Sequence, residues 1–275
     1  MASALCTPTQ VVDKPSKLIV LGPGEGHAHS ATVLMLHGFG DTAAGWYSPA
    51  MYWAQRLPHV RFILPTAKVD ASMGGVPSWF PFAGDNVKEG FLRAAVGLKE
   101  VVDHEADVLA ASGGAQRVVV AGFSQGGALA YYLGLQRGGG AQSGGGTGQP
   151  GGGAGGGAGE ERLGGVLALS TFLRKVSQDG VPADTYAPGE GVVTVTSMDT
   201  PVWIAHGTAD DRIPGGAKGA ARAQQTLEEE GMGDVTLKIY EGMGHEASQR
   251  ELDDALVFLK RVLPPLGSVP GRSVL

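Results

Sequence analysis

A serine hydroxyl is a weak nucleophile at neutral pH and does acyl-transfer chemistry only beside a base that an acid orients. The stretch "RVVVAGFSQGGALAYYLGLQ" holds one serine suited to that task, Ser124, in the pattern Gly122-Phe123-Ser124-Gln125-Gly126. A β-branched run precedes it and a helical pattern follows, the setting of a nucleophile on a sharp strand-to-helix turn. In a chain with 46 glycines the G-x-S-x-G pattern is weak by itself. The remaining parts must be found elsewhere.

Seven histidines could supply the base. His27 and His29 lie in a leader and read as loop residues, and His59 and His104 read as surface residues beside polar neighbours. His37 and His206 each end a strand before glycine, where they read as packing at a strand tip. His245, in "YEGMGHEAS", sits on a glycine-flanked loop between the last strand and the last helix and is the expected base. In the chain order Ser…Asp…His the acid falls between them. "WIAHGTADDRIP" offers Asp210, favoured by its distance from the strand end, with Asp211 as the alternative. An oxyanion needs N–H donors fixed in advance. Gln125, at the start of its helix, offers one, and the loop "LHGFGDT" offers a second, best placed at Phe39.

The elements that must carry these residues alternate. Short apolar, largely β-branched runs at 18–22, 31–38, 60–65, 117–123, 164–170, 201–207 and 235–242 read as strands. Amphipathic segments at 45–57, 87–111, 125–136, 218–232 and 248–263 read as helices between them. Such alternation predicts βαβ units, hence an α/β fold with a mostly parallel central sheet and helices on both faces. Ligands bind beyond the carboxyl ends of such strands, and every candidate above falls at that edge. Residues 1–29 form a leader with a candidate first strand, 30–264 one domain, and 265–275 a tail. Residues 138–159 are almost entirely glycine and small polar residues, read as a flexible insertion within that domain.

Composition excludes several classes. A hydrophobic content of 43% with 17% charged residues is that of a globular protein with a sizeable core. A net charge of −6 argues against nucleic acid as a partner. No apolar run is long enough to span a bilayer, and the N-terminal residues lack the pattern of a secretory signal, so a cytoplasmic setting is expected. The one cysteine, Cys6, rules out an internal disulfide and reads as an exposed thiol without a role, with reversible S-acylation as the alternative.

With these residues assembled, the chain resembles the acyl-protein thioesterase and carboxylesterase family of α/β-hydrolases. The resemblance rests on "LHGFGDT", "PSWF", "GFSQGGALA", "LALS", "HGTAD" and "YEGMGH", in family order over about residues 30–264. It implies Ser124 as nucleophile, Asp210 as acid, His245 as base, and Phe39 and Gln125 as oxyanion donors. It also implies hydrolysis of S-acylated proteins, lysophospholipids or small acyl esters, with no cofactor or metal and at most transient membrane contact. The acyl chain needs an apolar groove, expected along the loop 66–84 with Met73, Val76, Trp79, Phe80 and Phe82. Two other readings stay open: a carboxylesterase or lysophospholipase preferring shorter chains or lipid esters, and a non-catalytic binding module. Oligomeric state leaves no mark in the sequence.

Overall fold

The computed structural model describes residues 6–13, 18–82, 86–136, 162–173 and 195–267. The insertion at 138–159 and most of the tail at 265–275 lie outside the described residues. Along the chain run β1 (Pro8–Asp13), β2 (Leu18–Gly24), β3 (Ala31–Leu36), α1 (Tyr47–Ala54), β4 (Val60–Leu64), β5 (Val69–Asp70), β6 (Val76–Pro77) and α2 (Val87–Val108). Then follow β7 (Val118–Phe123), α3 (Gln125–Leu135), β8 (Gly165–Leu169), β9 (Val202–Gly207), α4 (Gly216–Glu229), β10 (Val235–Tyr240) and α5 (Gln249–Val262).

Eight strands form one sheet in the order β1-β2-β4-β3-β7-β8-β9-β10. From β4 to β10 all neighbours are parallel, and only the β1–β2 and β2–β4 pairs at one edge are antiparallel. The central strands read as near-continuous apolar runs because both their faces are covered. Alternate residues serve opposite faces. Leu34, Leu36, Val118 and Val120 pack under α2, α3 and α4, while Val33, Met35, Val119 and Ala121 pack under α1 and α5. A mostly parallel sheet with helices on both faces is the architecture expected from the alternation of elements.

Four expectations change. The leader contributes two strands rather than one, and β1 pairs with β2 at the edge, where Pro8 at the first position withdraws no ladder bond. Cys6 is half-buried, not exposed: a Cβ placed on Gly24 would lie 2.1 Å from its Sγ, so Gly24 makes room for the thiol. His59 is buried, and its Nε2 donates to the Leu263 carbonyl at 2.9 Å, tying β4 to the end of α5. The segment read as one long loop after β4 contains the hairpin β5–β6, turned through Gly74 (φ 83) and Gly75 (φ 72).

Candidate active site

Ser124 occupies the turn between β7 and α3 with φ 53 and ψ −117, a conformation that costs a non-glycine residue on the order of 1–3 kcal/mol. The surroundings hold it there. Its N–H donates to the Leu169 carbonyl at 2.9 Å, and its carbonyl accepts the Thr171 hydroxyl at 2.5 Å and the Gly127 N–H at 3.0 Å. Ser170, also at positive φ (41), ends β8 with the turn that precedes Thr171. The neighbouring glycines serve close approach instead of backbone freedom. A Cβ on Gly122 would lie 2.3 Å from the Gly126 carbonyl oxygen, and one on Gly126 would lie 2.4 Å from the Leu36 carbonyl oxygen.

The last two strands bring in the acid and the base. Asp210 follows β9 with its side chain buried, and its Oδ2 accepts the His245 Nδ1–H at 2.9 Å. Its Oδ1 accepts the N–H groups of Arg212 at 2.9 Å and Ile213 at 3.2 Å. Burial disfavours the charged carboxylate. The bond from His245 and the two backbone N–H groups outweigh that penalty and hold the Asp210 pKa below its ordinary value. Asp211 is exposed and makes no bond to His245, so the geometry separates the two aspartates. The His245 ring lies 4.7 Å, centroid to centroid, from Phe123.

Ser124 and His245 line one pocket of about 380 Å³. No hydrogen bond joins the serine hydroxyl to the imidazole; bonds of this kind commonly tighten only when substrate is bound. The N–H groups of Phe39 and Gln125 donate to no described residue. Gln125 begins α3, where amide protons lack helical partners and the helix dipole is positive. The Phe39 loop is held close to the serine. A Cβ on Gly38 would meet Phe123 at 3.1 Å and Ser124 at 3.4 Å, and Gly40 N–H donates to the Pro77 carbonyl at 2.8 Å. His37, read as strand-tip packing, also fixes this loop. Its Nε2 accepts the Ala67 N–H at 2.9 Å, so Nδ1 carries the proton and donates to the Gly38 carbonyl at 2.6 Å. Burial, the main influence, lowers its pKa and keeps it neutral for that pair of roles.

The expected acyl wall is placed differently. Of the five groove candidates only Phe82 lines the Ser124 pocket, joined there by Phe123, Phe172, Ile213 and Pro214. Trp79 and Phe80 line a separate cavity of about 590 Å³ beneath the hairpin, and Met73 and Val76 line neither. Trp79 is scaffolding: its indole N–H donates to the His37 carbonyl at 2.8 Å and its backbone N–H to Gln125 Oε1 at 3.0 Å. Phe80 is buried against Phe91. Aromatic residues on a long loop look alike in sequence whether they point to a ligand or into the core.

Two residues carry more of the site than their sequence positions imply. The Gln125 side chain is wholly buried and bonds Ser78, Trp79 and Phe80, tying the "PSWF" block to the serine turn. The spacing of the two blocks gave no sign of that contact. His206, four residues before Asp210, places its Nε2 3.1 Å from the Oδ2 that His245 also bonds. Burial lowers its pKa against the pull of Asp210. The i, i+4 spacing in "HGTAD" was the available signal.

A serine on a strained turn, a histidine bonded to a buried aspartate and two unpaired N–H groups at one sheet edge define a hydrolase of the serine class on an α/β-hydrolase fold. The chain matches the phospholipase/carboxylesterase family over residues 23–145 and 158–263, and it belongs to that family. It is similar to acyl-protein thioesterase 1 of Gibberella zeae, 32% identical over 254 residues covering 86% of this chain and 92% of that one. Acyl-protein thioesterase 1 of Emericella nidulans is 30% identical, with the same two shares covered. Among solved structures, esterase PE8 matches with a TM-score of 0.62 at 26% identity, over 89% of this chain and 97% of that one. Zea mays acyl-protein thioesterase 2 shares the fold, with a TM-score of 0.59 at 24% identity over 90% and 98% of the two chains. Among the described residues no helix is long and apolar enough to cross a membrane.

Proposed function

We propose that this protein cleaves acyl thioesters and carboxylic esters through an acyl-enzyme on Ser124, with S-acylated proteins in the cytoplasm as its substrates. Residues 30–264 act as one catalytic unit in this reading. The observation that carries it is the Asp210–His245 bond facing the same pocket as a serine held at positive φ. Ser124 Oγ attacks the acyl carbonyl carbon while His245 Nε2 takes its proton, and the N–H groups of Phe39 and Gln125 receive the oxyanion. Collapse of the tetrahedral intermediate breaks the carbon–sulfur or carbon–oxygen bond, and His245 returns the proton to the departing thiol or alcohol. Water then attacks the acyl-enzyme with His245 as base, releasing the acid and restoring Ser124. No cofactor is required. Asp210 stays ionised and stabilises the imidazolium that forms in each half-reaction.

The pocket volume lies within the range of small-ligand sites, and its apolar walls suit an acyl chain. The thioesterase names of the relatives support a thioester substrate. The test has two parts. A fluorophosphonate probe should label the wild type and leave Ser124→Ala unlabelled; equal labelling of both would place the nucleophile elsewhere, and labelling of neither would favour a binding module. Matched thioesters and oxyesters of two, eight and sixteen carbons should show activity maintained at long chains. A peak at acetyl with none at palmitoyl would replace this reading with a short-chain carboxylesterase.

A further inference from the structure

The Ser124 pocket has mostly aromatic and aliphatic walls, and besides His245 two charged side chains line it, Asp41 and Arg212. They are not equivalent. Asp41 is turned into its own loop: its Oδ1 accepts the Thr42 N–H at 2.7 Å, and a Cβ on Gly45 would lie 2.2 Å from that oxygen. Arg212 is exposed, and its backbone is pinned two residues from the acid by the N–H bond to Asp210 Oδ1 at 2.9 Å. Its guanidinium forms no hydrogen bond and no ion pair with any described residue. A fixed backbone and a cation uncommitted among the described residues, lining the same pocket as the reacting serine, are the makings of a recognition group. The guanidinium fork matches carboxylate and phosphate geometry, and its long stem can lie along apolar surface while the head stays in water.

We propose that Arg212 selects acyl donors whose leaving group carries a carboxylate or phosphate close to the scissile bond. The proposal rests on the reading of this pocket as the acyl-transfer site. The apolar walls formed by Phe82, Phe123, Phe172 and Ile213 would penalise a charge on the acyl chain. The anion therefore belongs on the departing group, at the solvent-facing rim where Arg212 stands. Asp41 works against the anion and in favour of a cation, so the two side chains predict effects of opposite sign.

The test uses octanoyl thioesters of four thiols: thiocholine (cationic), 1-thioglycerol (neutral), 3-mercaptopropionate (carboxylate) and 2-sulfanylethyl phosphate. The quantity read is kcat/KM for each anionic substrate relative to the neutral one, compared between the wild type and Arg212→Gln. Because each substrate is compared with itself across proteins, differences in thiol reactivity cancel. The anion preference should fall about fivefold in Arg212→Gln, the upper end of what an exposed ion pair supplies, mainly through KM. It should shrink in wild type at 0.5 M salt, where the Debye length is roughly 4–5 Å. Asp41→Asn should raise it. Loss with one anion alone identifies carboxylate or phosphate as the source. Identical ratios in wild type and Arg212→Gln would overturn the proposal. Ketone analogues, with a methylene in place of sulfur, separate binding from hydrolysis. Anion-selective binding that Arg212→Gln abolishes, without turnover of any thioester, would reject the proposed reaction and leave Arg212 standing.

Discussion

Gln125 combines two roles that one substitution separates. Its backbone N–H is a proposed oxyanion donor, whereas its side chain holds the 78–80 segment against the serine turn. Gln125→Ala keeps the first and deletes the second. Trp79 N–H loses its acceptor and becomes an unsatisfied group, at about 1–3 kcal/mol. The bonds from Nε2 to the Phe80 carbonyl at 2.6 Å and to Ser78 Oγ at 3.1 Å are also lost, at about 0.5–1.5 kcal/mol each. Phe80 keeps the Ser78 hydroxyl as a donor at 2.9 Å, so its carbonyl is not orphaned. The sum is about 4 kcal/mol, and for a chain of this size it lowers Tm by roughly 8–16 °C. Urea unfolding and calorimetry give the stability, and kcat on an octanoyl thioester gives the chemistry, which should fall less than about tenfold because both N–H donors remain. A Tm within about 2 °C of wild type would refute the structural role. A loss of about 10²–10³ in kcat on an intact fold would place the side chain itself among the oxyanion donors.

Three further substitutions test the packing of the fold. Glu251 on α5 is buried with neither carboxylate oxygen hydrogen-bonded, and burial pushes its pKa up to about 8; the nearby Ser248 N–H opposes this without forming a bond to it. Because the folded value lies above the unfolded one, the neutral acid is tolerated below about pH 4.5, and stability is lost as pH rises toward 8, by about 5 kcal/mol. Glu251→Gln should therefore match wild type in Tm near pH 4.5 and exceed it increasingly up to pH 9; parallel curves across that range would contradict the buried charge. Gly126→Ala places a Cβ within 2.4 Å and 2.6 Å of two backbone carbonyl oxygens and should yield insoluble or inactive protein, whereas Gly97→Ala, mid-helix with nothing within 4 Å, should raise stability by about 0.5–1 kcal/mol. Comparable solubility and Tm for both variants would show that the serine turn does not need its close glycine contact.

How far the sequence could be read depended on whether a residue's job is local. Period and punctuation marked the central strands and the five α-helices among the described residues, because a strand covered on both faces must be apolar throughout and an amphipathic helix must show its stripe. Ser124, Asp210 and His245 were legible because each follows a strand, and the parallel sheet places those strand ends on one edge. The edge strand β1 escaped notice: a short, proline-led segment carries no alternation strong enough to register.

Long-range contacts were beyond reach. Nothing local distinguishes Phe82, which faces the serine, from Trp79 and Phe80, which serve the scaffold, since the fold of the hairpin decides where each ring points. Asp210 and Asp211 are chemically identical neighbours, and only the turn after β9 sends one inward to His245 and leaves the other in water. The sequence by itself determined the parts of the reaction and the order of the elements that hold them. Tertiary structure decided which aspartate meets the histidine, which aromatics line the pocket, and that one arginine stands at its rim without a partner among the described residues. Those outcomes depend on contacts between residues distant in the chain, which no local pattern encodes.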